Sequence, residues 1–476
     1  MQWSHYSEAL FECFRHSDSN IMVQACPGAG KTTNIKHLWS LTDKPTVYLV
    51  FNKHNQLEAL EKMPQRSGSD VLTLNGLGHR ALLNTWGKVT LDNKKTYAII
   101  KNAISYKGLH YREVQARQAM LARAVAIAKC VDTDGSMPRA LYTEMLSTYD
   151  LDAYSGMYAD VLHVLSQSDN MTHVIDFADQ LRLPVLYKCN MPAYAVALCD
   201  EVQDFNPIQA ALLQVLDMQR VVLVGDTHQS IYGFRGAMND SMAMLSAQFT
   251  CTELTLSITY RCAAQIVKEA QKVYPGSIEK WAESPEGIVR HSEALQEDYQ
   301  SDTIVLCRMN RPLIILAYDL LKRGIACHVR GRDIGQGLVR LIKQQDCTTV
   351  RQLITALYTA YSAEHAVADA KDDDVKMQRI EDRYGSALLF CERCSLDDSP
   401  QVVIDAIEEM FTDGRGVCLS TVHKAKGLAA EKALVLQPDL IAACRRRAAL
   451  RWQQEQEDNV RYVAVTRAKR ELVYMT

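Results

Sequence analysis

The chain has 476 residues, of which 47% are hydrophobic and 23% are charged, and its formal net charge is −3. This length exceeds what one hydrophobic core usually supports, so two or more domains are expected. The small negative charge excludes a protein that coats nucleic acid through bulk positive charge, although it permits a local basic channel.

Cysteine usage and hydropathy bear on the cellular compartment. The 14 cysteines are scattered through apolar runs such as YAVALCDE, which is typical of buried reduced thiols and not of a disulfide framework. The chain has no uncharged apolar run of about 18 residues, and MQWSHYSEALFECFRHSDSN lacks the basic start and apolar middle of a signal peptide. We therefore expect a cytoplasmic protein with no membrane partner.

Short apolar runs rich in Val, Ile, Leu and Tyr alternate along the chain with stretches of helical periodicity. The clearest runs lie at residues 21–25, 46–51, 71–75, 194–201, 221–226, 303–308, 326–331, 417–421 and 432–437. Continuous apolar strands that alternate with helices are typical of parallel sheets covered on both faces. The pattern predicts an α/β architecture.

Helix-rich material interrupts each of two groups of strands. Examples are VQARQAMLARAVAIAK in the first interruption and VRQLITALYTAY in the second. We therefore predict two nucleotide-binding domains, each with an inserted helical subdomain. The first domain would cover 1–90 and 171–258 with its insertion at 91–170, and the second 259–336 and 413–476 with a short insertion at 337–412.

The segment ACPGAGKTT lies between the apolar run IMVQA and a helical stretch. Glycines in this context let backbone N–H groups curl around phosphate oxygens at a helix N-terminus, so the pattern predicts a P-loop. Lys31 would reach the β and γ phosphates, and the Thr32 hydroxyl would bind Mg²⁺. The predicted nucleotide-binding residues here are Ala25, Cys26, Pro27, Gly28, Ala29, Gly30, Lys31, Thr32 and Thr33.

Two acidic residues follow the apolar run YAVALC, where a P-loop needs a second metal ligand on a neighbouring strand. Asp200 would hold Mg²⁺ through water, and Glu201 would take a proton from the attacking water. Two acids at an exposed strand end are also common without any function. Their pairing with the P-loop favours the catalytic interpretation.

Six segments taken together resemble a known family. In chain order, ACPGAGKTT, DEVQD, VGDTHQSIYGFRGA, LSITYRC, VCLSTVHKAKGL and VRYVAVTRAK are similar to the motifs of UvrD/Rep-type superfamily 1 DNA helicases. The resemblance spans nearly the whole chain outside the insertions. The second insertion is short, so the chain is nearer to the compact helicases resembling the F-box DNA helicase core than to the larger family members. It implies two RecA-like domains with ATP in the cleft between them and single-stranded DNA across their tops.

The resemblance also implies roles for residues of the later motifs. Gln229 would sense the γ-phosphate and orient water, and Tyr260 would stack on the base of ATP. Arg261 and Arg467 would reach the γ-phosphate and stabilise its developing charge. Gly427 is a further nucleotide-binding candidate.

A set of aromatic, polar and basic residues corresponds to positions that line the DNA channel of the family, where bases stack on aromatics and polar groups contact phosphates. For the aromatics Tyr232 and Phe234, ordinary packing beneath the loop is the alternative. Phe234 stands where the family usually has tryptophan. The predicted DNA-binding residues are Phe51, Asn52, Lys53, Thr73, Gly76, His79, Tyr232, Phe234, Arg235, His423 and Lys424.

Two departures from the family pattern concern the nucleoside. Ser7 and Glu8 stand where the family has a glutamine that reads the adenine edge. Ala429 replaces a glutamate that contacts the ribose, and Glu431 lies two residues further on. Because the phosphate-binding residues are intact, we expect catalysis with a relaxed base preference.

The resemblance implies an ATP-dependent DNA helicase or translocase that moves 3′ to 5′ on single-stranded DNA and unwinds duplex. Expected partners are single-stranded DNA, ss/ds DNA junctions and replication, repair or recombination proteins, in the nucleoid or in the host cytoplasm of a virus. The alternative is a DNA-stimulated ATPase that strips proteins such as recombinase filaments from DNA without processive unwinding. A non-enzymatic DNA-binding module is the weakest alternative.

Overall fold

The structure is a computed structural model that describes residues 3–103, 106, 108–149, 151–233, 240–370, 374–411, 414, 416–448 and 450–475. By its internal contacts the chain divides into two compact units. The first unit comprises Met1–Ala25 and Gly30–Ser257, and the second unit comprises Cys26–Ala29 and Ile258–Thr476. The four-residue turn after the first strand is thus grouped with the second unit.

The first unit is an α/β unit. Its strands are β1 (Ile21–Ala25), β2 (Thr46–Val50), β3 (Asp70–Thr73), β4 (Thr90–Leu91), β5 (Val174–Ile175), β6 (Val196–Cys199), β7 (Arg220–Gly225) and β8 (Thr252–Leu256). Its helices are α1 (His5–His16), α2 (Lys31–Ser40), α3 (Lys53–Lys62), α4 (Leu74–Trp86), α5 (Lys95–Ala103), α6 (Tyr111–Val131), α7 (Arg139–Thr148), α8 (Met157–Asn170), α9 (Asp179–Leu186), α10 (Pro207–Gln214) and α11 (Ser241–Gln248). Among the described residues, six strands form one parallel sheet in the order β3-β2-β6-β7-β1-β8.

The position of a strand in this sheet explains how apolar its sequence is. β2 and β7 lie inside the sheet and are buried along their whole length, as their continuous apolar runs predict. β8 lies at the edge and exposes most of its residues, so its sequence TELTL carries polar side chains and was not predicted as a strand. All six strands run parallel, so their carboxyl ends meet at one edge, where ligands of such sheets bind.

The helices α5 to α8 enclose a hydrophobic core of their own. Ile100, Leu121, Val125, Val161 and Leu165 are among its buried members. This core is distinct from the one beneath the sheet, which gathers residues of β2, β6, β7 and α10. The predicted interruption of the first sheet by helical material is therefore confirmed.

The second unit is also an α/β unit. Its strands are β9 (Ile258–Thr259), β10 (Glu279–Lys280), β11 (Ile288–Ser292), β12 (Thr303–Cys307), β13 (Cys327–Arg330), β14 (Val417–Thr421), β15 (Ala430–Leu436) and β16 (Ala468–Met475). Its helices are α12 (Ala264–Gln271), α13 (Asn310–Lys322), α14 (Arg332–Lys343), α15 (Val350–Asp369), α16 (Asp374–Cys391), α17 (Pro400–Met410), α18 (Asp439–Arg447) and α19 (Arg451–Val465). Within the described ranges, six strands form a parallel sheet in the order β11-β16-β15-β12-β14-β13.

The helices α14 to α17 interrupt this second sheet between β13 and β14. Unlike the first insertion, they share one core with the sheet, in which Leu353, Phe390 and Ile407 lie in the same cluster as Val305 and Leu419. The predicted fold class, two parallel α/β domains each with inserted helices, is confirmed. In the part of the chain that the structure describes, we find no helix with the length and apolarity needed to cross a bilayer.

Candidate active site

The glycine-rich loop joins β1 to α2 as the sequence predicts. Gly30 is the N-cap of α2, with a φ of 78°, and no side chain caps the helix. The N–H groups of the first turn, which contains Lys31, Thr32 and Thr33, therefore lack a side-chain acceptor, and such a helix end binds anions. Thr32 and Thr33 are exposed.

The turn Cys26–Ala29 is held within the second unit. The Thr259 hydroxyl donates to the Pro27 carbonyl at 2.7 Å, and the Tyr260 N–H donates to the Gly28 carbonyl at 3.0 Å. Gly28 has a φ of 79°, and a Cβ there would lie 2.4 Å from the Cβ of Arg261. Both the backbone conformation and the close approach therefore require glycine.

The two acidic residues after β6 lie beside the lysine of the loop. Lys31 Nζ is 3.1 Å from Glu201 Oε1. Tyr48 donates its hydroxyl to Asp200 Oδ2 at 3.0 Å, and Glu201 adopts a left-handed φ of 57°. The expectation that these acids follow a strand next to β1 is wrong, because β7 lies between β1 and β6. The acids still reach Lys31, since the carboxyl ends of parallel strands share one edge.

We call Lys31, Asp200, Glu201 and Asp226 the phosphate cluster. Burial and the neighbouring Glu201 carboxylate raise the pKa of Asp200 to about 6, against the opposing effect of Lys31. Burial alone would lower the pKa of Lys31, but the Glu201, Asp200 and Asp226 carboxylates outweigh it and raise that pKa. One lysine thus faces three carboxylates, which leaves the cluster with excess negative charge.

This excess charge fits a divalent cation. Asp200 and the Thr32 hydroxyl are the oxygen ligands that the sequence predicts for Mg²⁺, which usually takes one or two protein ligands together with substrate phosphates. Within the described residues, we find no group of three or more His, Cys, Asp or Glu side chains that could hold a metal alone.

Two glutamines, which the sequence analysis did not single out, join the phosphate cluster to the segment after β7. Gln203 Nε2 donates to Glu201 Oε2 at 2.5 Å, while its Oε1 accepts from the Asp226 N–H at 3.0 Å. Gln24 of β1 donates to Asp226 Oδ1 at 3.0 Å. Gln229 donates to Asp226 Oδ2 at 2.7 Å and is 4% exposed. The polar residue in the otherwise apolar strand IMVQA is a signal that could have pointed to Gln24.

Phe51 and Tyr232 lie together in the first unit. Their ring centroids are 5.9 Å apart and their planes differ by 13°, so the rings are stacked. Phe51 is 39% exposed. Tyr232 is three residues from Gln229 along the chain. Phe234 and Arg235 lie outside the described residues.

The polar residues of the predicted DNA track have local structural roles. Asn52 caps α3 by accepting from the Asn55 N–H, and Thr73 caps α4 by accepting from the Gly76 N–H. Lys53 Nζ donates to Gln56 Oε1 at 3.0 Å. In contrast, the Nδ1 atom of His79 is buried and has no hydrogen-bond partner among the residues that the structure describes. All of these predicted DNA-track residues lie at or just after the carboxyl ends of β2 and β3, at the same edge of the sheet as the phosphate cluster.

The two candidate arginines of the second unit contact backbone carbonyls. Arg467 is 1% exposed, and its guanidinium donates to Val463 O at 2.9 Å and to Leu428 O at 3.0 Å. Arg261 donates to Thr466 O at 3.3 Å. Their predicted contact with a γ-phosphate stays a prediction.

The remaining candidates of the second unit follow β14. Lys424 forms an ion pair with Asp333, and His423 is half-buried beside it in the chain. Gly427 is exposed in a turn with a φ of 88°.

Two of the residues at the departures from the family pattern, Ser7 and Glu431, already have hydrogen-bond or ion-pair partners. Ser7 is 1% exposed, and its hydroxyl lies 3.2 Å from that of Ser4. Glu431 pairs with Lys469 at 3.0 Å and with Arg470 at 3.4 Å.

A glycine-rich loop before a helix, with an acidic pair at the carboxyl edge of a parallel sheet, is typical of P-loop nucleotide-binding proteins. Residues 59–250 match the family model of the UvrD/REP helicase N-terminal domain. The resemblance of this chain to the UvrD/Rep-type superfamily 1 helicases is thereby confirmed.

Several curated proteins are similar to this chain. F-box DNA helicase protein 1 of Schizosaccharomyces pombe is 22% identical over 504 residues, which cover 98% of this chain and 56% of that protein. DNA helicase II of Escherichia coli is 24% identical over 282 residues, covering 53% of this chain and 38% of that protein. ATP-dependent DNA helicase UvrD2 of Mycobacterium tuberculosis is 24% identical over 495 residues, which cover 86% of this chain and 69% of that protein. The chain thus spans 56% and 38% of the first two relatives.

Among solved structures, the arterivirus nonstructural protein 10 (helicase) in complex with DNA superposes with a TM-score of 0.36 at 11% identity. The superposition covers 96% of this chain and 61% of that chain. It is too loose to bear on fold or function.

Proposed function

We propose that this protein is a DNA-dependent ATPase that acts as a DNA helicase or translocase, moving 3′ to 5′ on single-stranded DNA. The observation that carries the proposal is the chain of contacts from Lys31 through Glu201 and Gln203 to Asp226 and Gln229. Three residues further on, Tyr232 stacks with the exposed Phe51. In this proposal, a change at a bound phosphate is passed along these contacts, and then through three residues of backbone, to the aromatic pair.

In the proposed reaction, ATP lies with its phosphates on the first turn of α2. Lys31 binds the β and γ phosphates, and Glu201 accepts the proton of the attacking water. Mg²⁺, held by Thr32 and Asp200 together with the phosphates, would neutralise charge that develops on the phosphoryl oxygens. Gln229 orients the water, and Arg261 and Arg467 are the proposed arginine partners of the γ-phosphate.

The proposed DNA contacts divide by chemistry. Phe51 and Tyr232 would stack on bases, which is worth about 1 to 3 kcal/mol per base and is sequence-tolerant. Lys53, His79, His423 and Lys424 would contact phosphates. One melted DNA step costs about 1.4 kcal/mol, so one stacking contact offsets one separated base pair. ATP-driven conformational changes can therefore decide whether the base stays paired or stacks on the protein.

Strand displacement tests the direction and the unwinding activity together. Duplexes that carry either a 3′ or a 5′ single-stranded tail are incubated with the protein, ATP and Mg²⁺, and the released strand is measured. We expect release from the 3′-tailed duplex and little from the 5′-tailed one. The Glu201→Gln variant is the control, and it should bind ATP but release no strand.

A filament-removal assay separates helicase activity from the alternative function. Recombinase filaments on single-stranded DNA are mixed with the protein and ATP, and loss of the bound recombinase is followed. Filament removal without strand release would replace the helicase proposal by a protein-stripping ATPase. Release from the 5′-tailed duplex alone would reverse the proposed polarity.

A further inference from the structure

A tyrosine is buried in the apolar strand β2, next to the strand that leads into Asp200. Tyr48 is 2% exposed, and β2 is buried along its whole length. β2 pairs in parallel with β6, with Tyr48 opposite Leu198, and the Asp200 N–H continues this pairing by donating to the Leu49 carbonyl at 3.0 Å. Because side chains alternate along a strand, Tyr48, Leu198 and Asp200 lie on one face of the sheet. The long tyrosine side chain can therefore reach Asp200 at the carboxyl edge.

Both oxygens of the Asp200 carboxylate accept a hydrogen bond. The Tyr48 hydroxyl donates to Oδ2 at 3.0 Å, and the Glu201 N–H donates to Oδ1 at 2.9 Å. Both donors are neutral, so they fix the direction of the carboxylate and leave its negative charge in place. Each carboxylate oxygen has a further lone pair, and these lone pairs can accept from water on a cation.

A second tyrosine–aspartate pair of the first unit is arranged differently. Tyr194 is 5% exposed and donates its hydroxyl to Asp70 Oδ2 at 2.7 Å. The same oxygen forms an ion pair with Arg80 at 2.5 Å, which neutralises the carboxylate. Asp70 begins β3 and Tyr194 lies just before β6, so this pair is at the amino edge of the sheet, opposite Asp200. The Tyr194–Asp70 pair therefore shares the hydrogen bond of the Tyr48–Asp200 pair but not its place beside the phosphate cluster.

We propose that Tyr48 is a positioning residue for the Mg²⁺ that accompanies the nucleotide, and that it acts through Asp200. Its hydroxyl holds the Asp200 carboxylate in one orientation and so keeps the remaining lone pairs available to the water through which the ion is bound. A phenylalanine would fill the same space in the core, so the hydroxyl serves the carboxylate and not the packing. This inference rests on the proposed function, because that function places Mg²⁺ at Asp200 and Thr32.

The test measures how much free Mg²⁺ is needed for tight ATP binding. Dissociation constants for ATP are measured by calorimetry in EDTA and at a series of free Mg²⁺ concentrations, on the full chain and on Tyr48→Phe. Because hydrogen bonds to metal ligands tune metal affinity, Tyr48→Phe should need about tenfold more Mg²⁺ for the half-maximal gain in ATP affinity. Its ATP affinity in EDTA should equal that of the parent, and saturating Mg²⁺ should restore its rate of ATP hydrolysis.

Tyr194→Phe is the matched control, because it removes the same kind of hydrogen bond at the opposite edge of the sheet. It should keep the Mg²⁺ requirement of the parent, although thermal unfolding should show a lower stability. A loss of stability alone therefore does not produce the result expected for Tyr48→Phe.

A second pair of variants shows whether Tyr48 acts through Asp200, even if Tyr48→Phe alone fails to fold. Asp200→Asn should raise the Mg²⁺ requirement at least as much as Tyr48→Phe, and adding Tyr48→Phe to Asp200→Asn should raise it no further. A further rise in the double variant, an unchanged requirement in folded Tyr48→Phe, or an equal loss of ATP affinity in EDTA would overturn the role of Tyr48. The proposed function would survive these results if the parent binds ATP with Mg²⁺ and Lys31→Ala does not. A parent that binds no ATP at any Mg²⁺ concentration would remove both proposals.

Discussion

The first unit buries two groups of lysine and acidic side chains that are built on opposite principles. In the phosphate cluster, one lysine faces three carboxylates. In the second group, which we call the insertion cluster, Lys95 and Lys129 face Asp176 and Asp179. The insertion cluster is therefore neutral, whereas the phosphate cluster has an excess of negative charge.

Both lysines of the insertion cluster make two or more hydrogen bonds to its aspartates or to a backbone carbonyl, which suits a structural role. Lys95 Nζ contacts Asp179 at 2.6 Å and the Ser168 carbonyl at 2.7 Å, and Lys129 Nζ contacts both aspartates at 2.6 and 2.7 Å. These contacts tie α5 and α6 to the start of α9. A buried network with balanced charges specifies packing. A network with excess negative charge, which raises a carboxylate pKa, marks a site for a cation.

The largest effect is expected in the phosphate cluster. Lys31→Ala should lower ATP hydrolysis by about 10³-fold or more, because it removes a charge-stabilising donor for the phosphates. DNA binding without nucleotide should remain. Steady-state assays measure the rate of ATP hydrolysis, and fluorescence anisotropy of a labelled single strand measures DNA binding. Lys62→Ala, at an exposed ion pair of α3, is the control. A Lys31→Ala protein with full activity would remove the basis for the phosphate site.

In the insertion cluster, the corresponding change should act on stability. Asp179→Asn leaves two buried lysines with one aspartate and should lower the free energy of unfolding by about 3 kcal/mol. Urea unfolding measures the loss, and hydrogen exchange should show reduced protection in α5 and α8. Glu113→Gln, at an exposed pair of α6, should leave both unchanged. A catalytic defect without destabilisation would contradict the structural role.

Neutralising an aspartate of the phosphate cluster should have the opposite effect on stability. The folded-state pKa of Asp200, about 6, lies above its ordinary value of 3.8, so the ionised carboxylate disfavours folding at neutral pH. Asp200→Asn should raise the free energy of unfolding by on the order of 2 kcal/mol at pH 8. The gain should be full above pH 6 and vanish as the pH falls towards 4. Thermal unfolding across this pH range measures it, and a destabilised variant at pH 8 would contradict the account.

The insertion cluster should respond to pH with the reverse sign. Burial alone would raise the pKa of Asp176, but Lys129 outweighs it and the pKa is lowered. Its contribution to stability is thus present above the ordinary aspartate pKa and is lost as the pH falls through the lowered value. Loss of hydrogen-exchange protection in α5 and α6 on acidification below pH 4 would show this. Protection that improves on acidification would contradict the assigned partners.

A smaller effect is expected at the aromatic pair linked to the phosphate cluster. Phe51→Ala should weaken binding of single-stranded DNA by about 5- to 30-fold, since one stacking contact is lost. Anisotropy titration measures the affinity. Leu57→Ala, at an exposed position of α3, is the matched control. Equal affinity for the two variants would assign Phe51 to packing.

The contrast between the clusters also explains what the sequence could predict. The P-loop and DEVQD are local patterns, so Lys31, Asp200 and Glu201 of the phosphate cluster could be named and the central strands located. Lys95 and Lys129 lie on helices, where a lysine ordinarily indicates a solvated face, and only the fold shows that they are buried. The edge strand β8 and the partner of Asp200 on β2 depend on contacts between distant segments. Local periodicity carries no signal for these features.

The most direct test of the account is the rate of ATP hydrolysis with and without single-stranded DNA. The contacts of the phosphate cluster extend through Gln203 and Asp226 to Gln229, three residues before Tyr232 of the aromatic pair, so under the proposed function DNA should accelerate hydrolysis in the parent. In Phe51→Ala, higher DNA concentrations should be needed for the same acceleration. Hydrolysis that depends on Lys31 but is unaffected by DNA at any concentration would contradict the coupling of the two sites.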